Sequence, residues 1–79
     1  MIVIIANNGR MYPGRSARAA VTAMWQDAPH AKAGTLDVYM AGCAWRAEQW
    51  NGAEVRVDSP DHFLADMAAA GLLQLQRMS

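Results

Sequence analysis

The chain opens on Met1-Ile2-Val3-Ile4-Ile5-Ala6, an apolar run with no polar residue alternating through it. A strand with one wet face alternates apolar and polar, whereas a strand covered on both faces reads as continuous apolar sequence. The run predicts a central strand whose second face is hidden by the chain itself or by a partner. Asn7-Asn8-Gly9 ends it with residues that tolerate positive φ. Met11 and Tyr12 form a short return strand, and Pro13-Gly14 marks a second bend.

Ser16 then caps a helix running to about Ala28, with Ala17, Ala20, Val21, Met24 and Ala28 at helical spacing. Pro29 stops it, and His30 to Gly34 reads as loop. Leu36-Asp37-Val38-Tyr39-Met40 alternates cleanly and predicts a strand. A second alternating segment, Ala44 to Trp50, leads through Asn51-Gly52 into Glu54-Val55-Arg56-Val57-Asp58, which reads as a hairpin. A three-residue loop pairs Glu48 with Arg56 and Arg46 with Asp58, leaving Trp45, Ala47 and Gln49 on the face of Val55 and Val57.

Ser59-Pro60-Asp61 starts a second helix: an N-cap, proline at the first helical position, an acid in the first turn. Phe63, Met67 and Ala70 form its buried stripe, with Leu64 at the border and Gly71 at C′. Leu72, Leu73 and Leu75 suggest a last short strand, with a continued helix as the alternative. The expected fold is α+β, a ferredoxin-like split βαβ variant forming one domain over residues 1–79. Its antiparallel sheet has four to five strands, with two helices on one face. The other face stays open, carrying Val3 and Ile5 (or Ile2 and Ile4) plus Tyr39, and is where a partner or second subunit is expected.

Composition supports a small core with surface to spare. The 79 residues are 53% hydrophobic and 18% charged, against about 25% charged in a typical soluble domain. One cysteine, Cys43, excludes an internal disulfide and fits a reducing cytoplasm. No signal peptide is read at the start, and no apolar run approaches the ~20 residues of a membrane helix. The net charge is zero but unevenly placed: residues 1–26 hold Arg10, Arg15 and Arg18 and no acid, while all seven acids follow. That distribution suggests oriented docking rather than general nucleic-acid binding, which needs a basic surplus.

Candidate chemistry is thin. Gly9-Arg10-Met11-Tyr12-Pro13-Gly14-Arg15-Ser16 has the spacing of a phosphate-binding loop, with arginine where the lysine would sit. Arginine does not simply replace that lysine, and Pro13 removes a backbone N–H from any cradle. His62 reads as cap decoration, and His30 has nothing nearby in sequence to orient it. Cys43 reads as a small, partly buried residue. Two histidines and one cysteine, widely separated, make no metal signature. Asp61 and Asp66, five apart, do not form a carboxylate pair. An enzyme is not expected, and no cofactor is implied.

Three tryptophans are more informative. Trp45 is expected in the core, Trp25 half exposed and Trp50 at a hairpin tip opposite Glu54. Exposed Trp, Tyr and Arg are typical interface anchors. The partner-binding candidates are therefore Arg10, Arg15, Arg18, Trp25, Tyr39 and Trp50.

A short α/β chain of this character, free of catalytic motifs, resembles the small anti-CRISPR proteins encoded by phages and prophages. Within them the resemblance is to inhibitors of type I surveillance complexes, type I-C included. General character over the whole chain carries the resemblance, so no functional residue transfers. It implies a stoichiometric protein–protein inhibitor in the host cytoplasm that binds the Cascade complex and blocks target DNA. Many such proteins are acidic DNA mimics; this chain is neutral, which favours a wedge between subunits. Two other readings are a nucleic-acid or anion-binding module using residues 10–18, and a homodimeric structural or regulatory protein. The inhibitor reading involves no small-molecule substrate, no direct nucleic-acid binding and no membrane, and the chain acts as a monomer or homodimer.

Overall fold

The computed structural model describes residues 1–28 and 34–77. Its elements run β1 (Ile2–Ala6), β2 (Met11–Gly14), α1 (Ala17–Asp27), α2 (Leu36–Asn51), α3 (Pro60–Ala69) and β3 (Leu73–Arg77). The sheet has three strands in the order β2-β1-β3, antiparallel throughout. This corrects the expected fold: three strands and three helices replace four to five strands and two helices. No helix separates β1 from its hairpin partner β2, so the split βαβ order is absent too.

The N-terminal half follows local chemistry. The β1–β2 turn is closed by Gly9 N–H donating to the Ala6 carbonyl (2.9 Å) and by Asn8 Oδ1 accepting from Arg10 N–H (3.0 Å). Gly9 supplies the positive φ of +89°. Pro13 does not bend the chain but sits within β2, an edge strand, where a missing donor is tolerated. Gly14 has a packing role: a Cβ there would lie 2.8 Å from Ala19 C and Ala20 Cα, and closer still to Ala20 N. Only glycine lets the backbone of α1 settle this tightly onto β2.

Caps set the helix boundaries. Ser16 Oγ accepts from Ala19 N–H at 3.2 Å, and Ser59 Oγ accepts from His62 N–H at 3.1 Å. Gly71 (φ +76°) ends α3, with Leu72 N–H donating to the Met67 carbonyl at 3.0 Å. The Pro29 stop and the His30 loop lie outside the described residues.

The largest correction is α2. Leu36–Met40 and Ala44–Trp50, read as strands, belong to one helix. Thr35 Oγ1 caps its start by accepting from Val38 N–H (3.3 Å). Gly52 (φ +65°) ends it, donating its N–H to the Glu48 carbonyl at 2.9 Å. Asn51-Gly52 is thus a helix terminus rather than a hairpin turn. Glu54 to Asp58 is not a strand; it is held to α3 by Arg56, whose backbone N–H and Nε both donate to Asp66 Oδ2 at 2.9 Å.

All three helices contribute to one core on the Ile4 side of the sheet. Ile4, Ala20, Val21 and Phe63 are fully buried, and Leu36, Met40, Leu64 and Leu73 nearly so. Each large side chain among them contributes roughly 1.5–3 kcal/mol by leaving water. Because α2 packs on α1 and α3 rather than on the sheet, it forms an outer layer.

Candidate protein-interaction surfaces

Period-two alternation puts Val3 and Ile5 on the side of the sheet opposite Ile4. Among the described residues, no helix or strand covers that side. Met11 and Pro13 of β2 and Gln74 and Gln76 of β3 share it, each beside Val3 or Ile5 in register. Val3 is nevertheless only 5% exposed, flanked by Pro13 on one side and Gln76 on the other. On this side Val3 is thus buried and Ile5 half-buried, while Met11 and, ahead of β1, Met1 are exposed. Tyr39, expected on this face, belongs to α2 instead.

The second surface lies on α2. One side of this helix buries Leu36, Met40 and Ala47 with half-buried Cys43, at steps of four, three and four. The opposite side carries Val38 and Trp45, one heptad apart, exposed by 60% and 61%. Ala41 and Gly42 lie between them. Trp50, near the C-terminal end, is 77% exposed. Trp45 is thus on the surface rather than in the core, and Trp50 is a helix-end residue rather than a hairpin tip. A helix apolar on both sides is normally buried on both; here one side is not.

The structure separates the sequence-derived candidates. Arg10 Nη1 pairs with Asp27 Oδ2 at 2.6 Å, and the Tyr12 hydroxyl donates to the same oxygen at 2.6 Å. This triad ties β2 to the end of α1. Tyr12 and Arg10 hold the Asp27 carboxyl below its ordinary range, while Asp27 raises both Arg10 and Tyr12. Arg10 is thus already engaged within the chain. Arg15 and Arg18 are exposed at the start of α1, with no acidic partner among the described residues. Trp25 and Tyr39 are half-buried against the core, and burial pushes the Tyr39 hydroxyl upward.

Where α2 meets the end of α3, a groove of about 190 Å³ has a floor of Cys43, Ala47, Met67 and Leu72. Arg46 and Trp50 stand at its rim. Arg46 Nη2 lies 3.4 Å from Cys43 Sγ, a weak acceptor, and the guanidinium has no carboxylate partner among the described residues. Arg56 differs: it grips Asp66 with two side-chain donors and one backbone donor and holds that carboxyl at about 2. Asp66 is therefore a structural anchor that ties the segment after α2 to α3.

Residues 11–14, inside the phosphate-loop-like spacing, form a strand paired to β1, and the Ser16 hydroxyl caps α1. His62 Nδ1 lies 3.0 Å from Asp58 Oδ1, an exposed i,i+4 pair. Among the described residues, no three His, Cys, Asp or Glu side chains cluster as a metal site would need, and no helix is long and apolar enough to cross a membrane. The chain matches no protein-family model, no curated protein and no solved structure.

Of the exposed apolar residues of α2, Trp50 is an interface candidate from the sequence but Val38 and Trp45 are not, because the helix itself is not read from the sequence. Its signals were present: Thr35 before an apolar residue, Asp37 in the first turn, Leu36-Met40-Cys43-Ala47 spacing and Gly52 at the end.

Proposed function

We propose that this chain is a non-enzymatic protein-binding domain, and that its partner is a type I CRISPR-Cas Cascade complex whose target-DNA binding it blocks. The observation that supports protein binding is α2, apolar on both sides, with Val38, Trp45 and Trp50 exposed on a small domain. Trp is strongly enriched among residues that dominate binding energy at interfaces. The identity of the partner rests on the resemblance drawn from the sequence. Arg15 and Arg18 supply positive charge at the start of α1 that would steer approach to an acidic surface.

The test is size-exclusion chromatography of the chain with reconstituted type I Cascade, paired with target-DNA binding by that complex. Co-elution at fixed stoichiometry and suppressed DNA binding are expected. Separate elution from every type I subtype would overturn the reading.

The alternative of a nucleic-acid or anion module keeps Arg15 and Arg18 but loses Arg10 to Asp27. Its expected signature is binding that weakens steeply with salt and falls when Arg15 and Arg18 become alanine.

A further inference from the structure

We infer that the groove between α2 and the end of α3 receives one apolar side chain of a partner protein, with an adjacent partner carboxylate on Arg46. This rests on the protein-binding reading and names the chemistry of the bound segment. Size sets the first half. A cavity of about 150 Å³ accepts benzene, whereas sites for drug-sized molecules run to about 300–1,000 Å³. At about 190 Å³, this groove suits a single phenylalanine or leucine side chain. Its floor matches that occupant: Ala47 is buried, and Cys43, Met67 and Leu72 are half-buried, so the walls are apolar and already in place. Trp50 adds an exposed aromatic wall at the rim.

Charge sets the second half. Arg46 is the one charged residue among the described lining residues. Its guanidinium lies back along α2, beside Cys43 Sγ and within 4.0 Å of where a Gly42 Cβ would be. Held there, it retains donors for a planar acceptor, and carboxylate is the protein group that matches an arginine fork. The bound segment is therefore apolar and acidic in neighbouring positions.

The probe is a phage-displayed library of random peptides, selected in parallel on wild-type protein and on Arg46→Glu. The wild type is expected to enrich peptides with Phe or Leu within two positions of Asp or Glu. Their affinity should fall about tenfold in Arg46→Glu and weaken with added salt. Trp50→Ala should weaken them too, and Arg46→Glu should itself enrich Lys or Arg beside the apolar residue. Enrichment without acids, equal affinity for Arg46→Glu, or no enriched peptide overturns the inference. Circular dichroism of both variants confirms that exposed positions 46 and 50 have not altered the fold. Cascade co-elution without acidic-peptide selection would remove this inference alone. Acidic-peptide selection without Cascade co-elution would remove only the assignment of the partner.

Discussion

Strand β1 and helix α2 carry the same sequence property, apolar residues on both sides, and the fold treats them differently. In β1 the second side is partly sheltered, with a strand on each flank: Val3 is 5% exposed and Ile5 half-buried. In α2 the second side is not satisfied, leaving Val38 and Trp45 about three-fifths exposed. A central strand shelters its side chains between in-plane neighbours. A helix on the outer layer has no such neighbours, so its outer side stays wet until something docks there. Two-sided apolarity is thus weak evidence for a partner in a central strand and stronger evidence in a surface helix. The continuous run at the start first draws attention, yet the larger exposed apolar surface lies on α2.

Substitutions in the core that β1 and α2 share, or at the glycines that let the backbone close, should be costly. Phe63→Ala, at a fully buried position, is expected to destabilise by about 3–5 kcal/mol. Gly14→Ala should cost about 2–3 kcal/mol, since the new Cβ meets the backbone of α1 and neither element can yield cheaply. Gly52→Ala, at the left-handed end of α2, should cost about 1 kcal/mol. Chemical denaturation measures all three. If Gly14→Ala proves neutral, the tight seating of α1 on the sheet is wrong.

The Arg56–Asp66 contact gives a pH test of how the segment after α2 is held. Arg56 lowers the Asp66 pKa from 3.8 to about 2 in the folded state. A depressed carboxylate contributes stability that is fully present above the unfolded value and lost as pH falls through the folded one. Thermal stability should therefore fall as pH drops from about 4 to about 2, and Asp66→Asn should flatten that part of the profile. An unchanged acid limb in Asp66→Asn would place the acid sensitivity elsewhere.

Much of this fold is legible where local chemistry decides. Ser16, Ser59 and Gly71 mark helix ends through single hydrogen bonds or a single backbone angle, and β1 is apolar enough to be a strand in any context. The segment 36–51 is different. Five residues, Leu36 to Met40, satisfy both a two-residue and a four-residue period, because Leu36 and Met40 are partners in either. The balance lay in composition: Val38 is the one β-branched residue from 36 to 51, while Ala41, Ala44 and Ala47 favour helix. The exposure of Trp45 and the Arg46 groove follow from that helix and are not legible in a strand reading, whereas Trp50 is a candidate in either. The pairing of Arg10 with Asp27 was hidden for another reason, since it joins residues brought together only when α1 packs against β2.

The smallest expected effect on stability is on the outer side of α2. Val38→Ser and Trp45→Ser should each change unfolding free energy by no more than about 0.5 kcal/mol, since neither side chain is in the core. Met11→Lys on the open sheet side should be similarly mild. These two changes set up the decisive measurement, a titration of type I Cascade with wild type, the Val38/Trp45 variant and Met11→Lys. Docking through α2 predicts stoichiometric binding by wild type and Met11→Lys, and at least about tenfold weaker binding by the Val38/Trp45 variant. Equal binding by the Val38/Trp45 variant, or loss of binding in Met11→Lys alone, would contradict it.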